Sequence, residues 1–205
     1  MKHIVVCIPF AREFVYTTFL MSWTKMMVHA KGLYDLSPVT IHGPYIDANR
    51  DTLIENALQM EPDYILFLDD DQTYPDHTPQ TLVNWVNSGK MVVGGVTPRK
   101  ETHTPMIWDF DNGSIGGVKF WKSLNNEAGL VKVGGLGLGG VMIHPDVFKK
   151  IEYPFFKIKS LPTYQRHGED MTFYQKCKDA EIDVWADLDL QYGHMVMNEA
   201  KMGDS

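Results

Sequence analysis

The sequence is poor in cysteine, in long apolar runs and in positive charge, and each shortage removes a class of protein. Its only cysteines are Cys7 and Cys177. Cys7 lies in an apolar run and Cys177 in a helical pattern, far away. Two reduced thiols in a reducing, cytoplasmic setting are expected, not a disulfide framework. No apolar stretch approaches the ~18 residues needed to cross a bilayer, so no membrane span is expected. The first apolar run is short and is stopped by Pro9, Arg12 and Glu13, which does not fit a secretion signal. Lys and Arg number 19 against 26 Asp and Glu, a net charge of −7. That balance argues against a nucleic-acid partner, which needs a basic face. It still allows an anionic ligand held by a few local cations or by a metal.

Glycine (17) and proline (11) are too few for a low-complexity chain. With 44% hydrophobic residues over 205 positions, the chain can bury its own core. One domain spanning 1–205 is expected, with no internal repeat and no dividing linker.

Ile4, Val5, Val6, Cys7 and Ile8 form a continuous run, as in a strand buried on both faces and ended by Pro9. Val15, Phe19, Trp23, Met26 or Met27 and Ala30 have helical spacing, with Gly32 as a stop. Residues 39–41 predict a second strand. Asp47 is a candidate N-cap for a helix carrying Leu53, Ile54, Ala57 and Leu58, with Pro62 at its end. Residues 64–68 read as another buried strand, 78–87 as a helix closed by Gly89, and 91–93 as a strand. This alternation predicts a parallel sheet with helices on its faces.

The second half is rich in Gly and Asn over 105–135, with short strand-like pieces at 106–108, 118–120 and 131–133. Residues 141–143 form a further strand, and Pro145 suits the first turn of a short helix. Residues 157–168 lack a period and predict a loop over a site. A helix over 169–181 and a strand over 184–186 follow.

The strongest feature is Asp69-Asp70-Asp71 directly after the buried strand. Three adjacent carboxylates repel one another, so a cation or a task must compensate them. In an extended chain Asp69 and Asp71 point one way and Asp70 the other. Ligands of parallel α/β sheets bind at strand carboxyl ends, and a hard divalent cation there can also bind a diphosphate. A plain acidic turn, with Asp71 or Asp76 capping the next helix, is the other reading.

Glu169 and Asp170 open the last helix. The helix dipole favours both there, and a general base at the edge of a site would also sit there. His194 follows a strand-like segment; beside carboxylates, an imidazole suits Mn²⁺ better than Ca²⁺. Arg50 and Arg99 stand near helix starts or strand ends, where phosphates bind. Gly135, Gly137, Gly139 and Gly140 permit close backbone approach to a ligand but match no dinucleotide fingerprint. Trp108 and Trp121 can stack on a sugar or pack in the core.

In order and spacing these pieces resemble a GT-A fold glycosyltransferase of the compact kind often encoded by viruses, phages and microbes. The resemblance runs from about residue 4 to 196. It rests on residues 64–71 as a DxD motif, 137–143, Val147-Phe148, residues 154–156, Gly168-Glu169-Asp170 with residues 171–173, and Gly193-His194. It implies a Rossmann-like, mostly parallel central sheet flanked by helices, with a smaller mixed β region. It also implies a nucleotide-binding half (1–100) and an acceptor-binding half (101–205).

By the same resemblance Asp71, Asp69 and His194 hold Mn²⁺ or Mg²⁺. Pro9, Arg50, Asp69, Asp70 and Arg99 border the nucleotide of a UDP- or GDP-linked sugar donor. Asp170 is the base toward a hydroxyl of a glycan or glycoconjugate acceptor, and Glu169 positions that acceptor. The implied location is cytoplasmic, in the host if viral. Three consecutive aspartates leave open which of them bind metal. The short chain has a minimal acceptor side, or one completed by further domains of a longer polypeptide.

Asp69-x-Asp71-x-Thr73 also fits the nucleophile motif of a haloacid dehalogenase-type phosphatase. That nucleophile belongs on the first strand of its core, whereas here a strand–helix–strand–helix unit precedes it. A non-catalytic nucleotide-sugar-binding module is the remaining alternative.

Overall fold

The structure, a computed structural model, describes residues 1–111, 117–124, 127–160 and 166–196. Parts of the expected Gly/Asn-rich stretch (112–116 and 125–126) and of the expected loop over the site (161–165) lie outside the described residues.

The first half alternates β1 (Lys2–Phe10), α1 (Thr17–Ala30), β2 (Tyr34–His42), α2 (Ile46–Gln59), β3 (Tyr64–Phe67), β4 (Gln72–Thr73), α3 (Thr78–Asn87) and β5 (Val92–Val96). Then come β6 (Ile107–Phe110), β7 (Val118–Phe120), β8 (Leu130–Val133), β9 (Gly135–Leu136) and β10 (Val141–Ile143). A 3-10 turn (Pro145–Lys149) leads to β11 (Lys159–Ser160), β12 (Arg166–His167), α4 (Glu169–Asp179), β13 (Val184–Gln191) and β14 (Gly193–His194).

The central sheet has seven strands in the order β2-β1-β3-β10-β5-β13-β8. Strands β2, β1, β3, β5 and β13 run one way; β10 and β8 run against them. The sheet is therefore mostly parallel, with one reversed strand inserted between β3 and β5. The smaller sheet, β7-β6-β9, is antiparallel throughout instead of mixed.

Both faces of the central sheet are covered, which explains the unbroken apolar runs. Val5, Cys7, Ile65 and Phe67 face one core layer together with Leu53, Ile54 and Ala57 of α2 and Phe173, Tyr174 and Cys177 of α4. Ile4, Val6, Ile8, Tyr64, Leu66 and Leu68 face the other, with Phe19 and Met26 of α1 and Leu82, Val83 and Val86 of α3. Cys7 and Cys177 are unpaired and buried. Among the described residues no helix is long and apolar enough to cross a membrane.

Several boundaries differ from expectation for local reasons. Pro9 does not end β1: the strand pairs on to Phe10 against β2, while β3 stops pairing at Cys7. Past that last rung, the missing proline N–H breaks no ladder bond toward β3. Asp47 does not cap α2, which starts at Ile46. Its carboxylate instead accepts from the N–H of Ala48 (3.0 Å) and of Ile158 (3.3 Å), tying α2 to the segment before β11. Helix α4 ends at Asp179 rather than 181, and Glu181 takes a left-handed φ of 57°.

Candidate functional site

The carboxyl ends of β1, β3 and β5 and the start of α4 bring the acidic residues and their cations together. Beyond Phe67 the chain leaves the strand, and the Gln72 N–H donates to the Asp69 carbonyl at 3.3 Å to close a turn. The alternation expected of an extended chain is therefore lost, and each aspartate takes its own partners. Asp69 Oδ1 accepts from Arg50 Nη2 at 2.9 Å. Asp70 Oδ1 meets Arg12 Nη1 at 3.3 Å. Asp71 Oδ2 meets Lys100 Nζ at 2.6 Å and Arg12 Nη2 at 3.6 Å, and its Oδ1 lies 3.6 Å from His194 Nε2.

This turn is anchored from below. The Tyr74 hydroxyl accepts from the Asp69 N–H (2.8 Å), and Gln72 Oε1 accepts from the Thr97 hydroxyl (3.0 Å). Strand β4 pairs with β14, setting His194 opposite Gln72, and the Met195 N–H donates to the Asp71 carbonyl at 2.8 Å. His194 thus reaches Asp71 through backbone pairing. Two of the glycines expected to admit a ligand instead admit this scaffold. A side chain at Gly139 would strike the Gln72 amide, and one at Gly140 (φ +84°) the Tyr192 ring. Gly135 packs under Trp108 and Tyr174 and Gly137 against Met106, so none of these glycines is kept open by the space it faces.

Arg50 is 4% exposed and spans two elements: its Nε donates to Glu169 Oε1 at 3.2 Å while Nη2 holds Asp69. It also lies over the Phe67 ring, 5.2 Å from the centroid. Burial opposes the charge of Arg50, but Asp69 and Glu169 outweigh it and keep the guanidinium charged. Arg50, expected to face a nucleotide, is thus the internal tie between the strand end and α4. Its Nη1 is buried with no partner among the described residues. Arg99, also expected near phosphate, instead stacks over Phe120 at 4.0 Å; the adjacent Lys100 is the cation that reaches the aspartates. Pro9 is buried near the end of β1.

Asp170 sits in the first turn of α4, its Oδ1 accepting from the Met171 N–H at 2.7 Å. Burial and then the neighbouring Glu169 charge push its pKa up to about 7. Asp71 shows the reverse: burial opposes its charge, but His194 and Lys100 prevail and hold the carboxyl below the usual range. Asp70 is 4% exposed, raised chiefly by burial, and its Oδ2 has no partner among the described residues. Local charge and burial thus push the two carboxyls in opposite directions, Asp71 down and Asp170 up.

Asp71 and His194 fit a divalent cation on a local criterion. His194 Nδ1–H donates to the Pro98 carbonyl (2.8 Å), which turns Nε2 toward Asp71 Oδ1 at 3.6 Å. Burial opposes the ring's charge, but Asp71 and that carbonyl prevail and raise its pKa, so a divalent ion would take Nε2 by displacing its proton. Asp69 is committed to Arg50. Among the described residues no group of three or more His, Cys, Asp or Glu side chains is close enough to hold a metal by itself. Two protein ligands suffice where substrate phosphates and water complete the shell.

Arg12 and Lys100 were not singled out from the sequence. Their positions just past β1 and β5 were the available signal. Of the tryptophans, Trp108 is fully buried between Tyr174 and Phe120, while Trp121 Nε1 donates to Asp109 at 2.8 Å.

No protein-family model and no curated protein matches the chain. Among solved structures, the crystal structure of A197 from STIV superposes with a TM-score of 0.67 over 96% of this chain and 87% of that one, at 21% identity. The likeness establishes a shared α/β fold with a large, mostly parallel sheet flanked by helices.

Proposed function

We propose that the protein is a GT-A-type glycosyltransferase that moves a sugar from a nucleotide-diphosphate donor to a hydroxyl of a glycan or glycoconjugate. The observation that carries this reading is the pairing of Asp71 with His194 Nε2 at the strand carboxyl ends, joined to the Asp170 helix through Asp69–Arg50–Glu169. An acidic corner of this kind suits diphosphate when a divalent cation is present.

Asp71 and His194 would hold Mn²⁺ or Mg²⁺, which when bound offsets the charge growing on a diphosphate leaving group. The chain's own residues do the rest. Asp170, ionised above about pH 7, takes the proton of the attacking acceptor hydroxyl. Arg50 fixes Glu169 and Asp69 so that the acceptor edge and the donor edge keep a constant spacing. Attack by that hydroxyl on the face opposite the leaving group inverts the anomeric carbon.

A thermal-shift screen of nucleoside diphosphates and nucleotide sugars, with and without Mn²⁺, tests this reading. Specific binding raises Tm by mass action. One base should give a clear Tm rise that needs Mn²⁺; no rise with any nucleotide in Mn²⁺ would refute the proposal.

A further inference from the structure

The acidic turn carries more cation than a binary Asp71–His194 site requires. Lys100 Nζ lies 2.6 Å from Asp71 Oδ2 and Arg12 Nη2 lies 3.6 Å from the same oxygen. Lys100 rides the turn after β5, which is held by the Pro98–Pro105 bridge and by the Arg99 N–H donating to the Thr104 carbonyl at 2.8 Å. Its side chain is one-third exposed, against 4% for Arg50. The lysine base is therefore fixed while its ammonium, on a flexible four-carbon stem, is free to change partners.

We infer that Lys100 is an exchangeable counter-cation: it occupies Asp71 when the site is empty and is released to the donor diphosphate when a divalent ion takes that carboxylate. The inference rests on the proposed metal and diphosphate site and adds its coupling. Lys100 holds Oδ2 and His194 faces Oδ1, so a divalent ion between Asp71 and His194 would bring a second cation onto the same carboxylate, and the repulsion between the two loosens the ammonium's hold. The loosened ammonium stays tethered within reach of the same corner, where a diphosphate brings the negative charge that re-engages it. Lys100 thus opposes metal binding to the empty protein and favours it once diphosphate is present. The result is positive coupling between the two ligands, equal in both directions. Arg12 is the less adaptable neighbour: it is anchored on Asp70 at 3.3 Å and stacked on Tyr16 at 5.3 Å.

The test is Mn²⁺ titration of the full chain, read from the electron paramagnetic resonance of free aqueous Mn²⁺, for the wild type, Lys100→Gln, Lys100→Arg and Asp71→Asn. It is paired with calorimetric titration of nucleoside diphosphates at saturating Mn²⁺. Lys100→Gln should bind Mn²⁺ about three- to tenfold more tightly without nucleotide, because the competing charge is gone. It should bind the diphosphate about tenfold more weakly, because a charge-assisted contact is lost. Lys100→Arg should restore both values toward wild type. If Lys100→Gln binds Mn²⁺ no better than wild type while Asp71→Asn loses it, the exchange is wrong and the metal site stands. If Asp71→Asn binds Mn²⁺ as wild type does, or wild type binds none, the site reading fails and takes the exchange with it.

Discussion

Asp170→Asn should retain Mn²⁺-dependent nucleotide binding and lose sugar transfer by about 10²–10⁴-fold, the usual cost of removing a general base. The asparagine keeps the side-chain oxygen that accepts from the Met171 N–H, so the start of α4 should hold its shape. What disappears is the only function that needs an ionised group at that point. The pH dependence follows from the same carboxyl. Burial, reinforced by Glu169, raises its pKa to about 7, so wild-type kcat/KM should climb as pH rises through about 7, and the residual activity of Asp170→Asn should lack that limb.

Stability gives an independent reading. A carboxyl whose folded pKa exceeds its unfolded value of about 4 favours the fold at low pH, and that support is lost as pH rises toward 7. Relative to wild type, Asp170→Asn should therefore gain Tm progressively between about pH 4 and 7 and hold a constant advantage above. Release of nucleoside diphosphate from donor measures the first effect and calorimetric unfolding the second. Unchanged transfer in Asp170→Asn would show that another group is the base.

The second large effect is expected at Asp71. Asp71→Asn should weaken Mn²⁺-dependent nucleotide binding by about 10²-fold or more, since a charge-assisted contact worth ~3 kcal/mol is forfeited. The substitution also leaves Lys100 and His194 facing a neutral amide. Burial opposes ionisation of Asp71, yet its partners hold the folded pKa below the unfolded one. Its contribution to stability is then present above about pH 4 and is lost as pH falls through the folded value. The Tm deficit of Asp71→Asn should accordingly be largest near neutrality and shrink in acid. Equal nucleotide affinity in the variant and wild type, measured by calorimetry in Mn²⁺, would place the diphosphate elsewhere.

How much of this was readable beforehand differs by element. Strands β1 and β3 were visible because burial on both faces leaves an unbroken apolar run, and α3 was found over Thr78–Asn87 because Pro and Gly punctuate it. The reversed insertion of β10 between β3 and β5 was not visible. Val141–Ile143 looks like any buried strand, and its direction is decided by long-range pairing. The acidic triplet marks the candidate site in the sequence, but the turn that separates its three carboxylates depends on Tyr74, Gln72 and Thr97 meeting in space. Arg50 carried no sign that its guanidinium would be buried between Asp69 and Glu169, 119 residues from the latter. The pairs made by Arg12 and Lys100 are silent in the sequence for the same reason: their partners lie 58 and 29 residues away, and no local pattern encodes such pairs. The turn between Pro98 and Pro105 sends the Arg99 side chain to Phe120 and that of Lys100 to Asp71, a difference between neighbours that the sequence does not show.

The most direct measurement is anomalous diffraction at the manganese edge from crystals grown with Mn²⁺ and the nucleoside diphosphate that gives the largest thermal shift. The expected map has one strong peak in contact with an Asp71 carboxylate oxygen and His194 Nε2, the diphosphate against the same ion, and Lys100 lifted from Asp71 onto phosphate. A nucleotide bound without that peak, or a peak remote from residues 69–71 with Lys100 still seated on Asp71, would contradict the assignment.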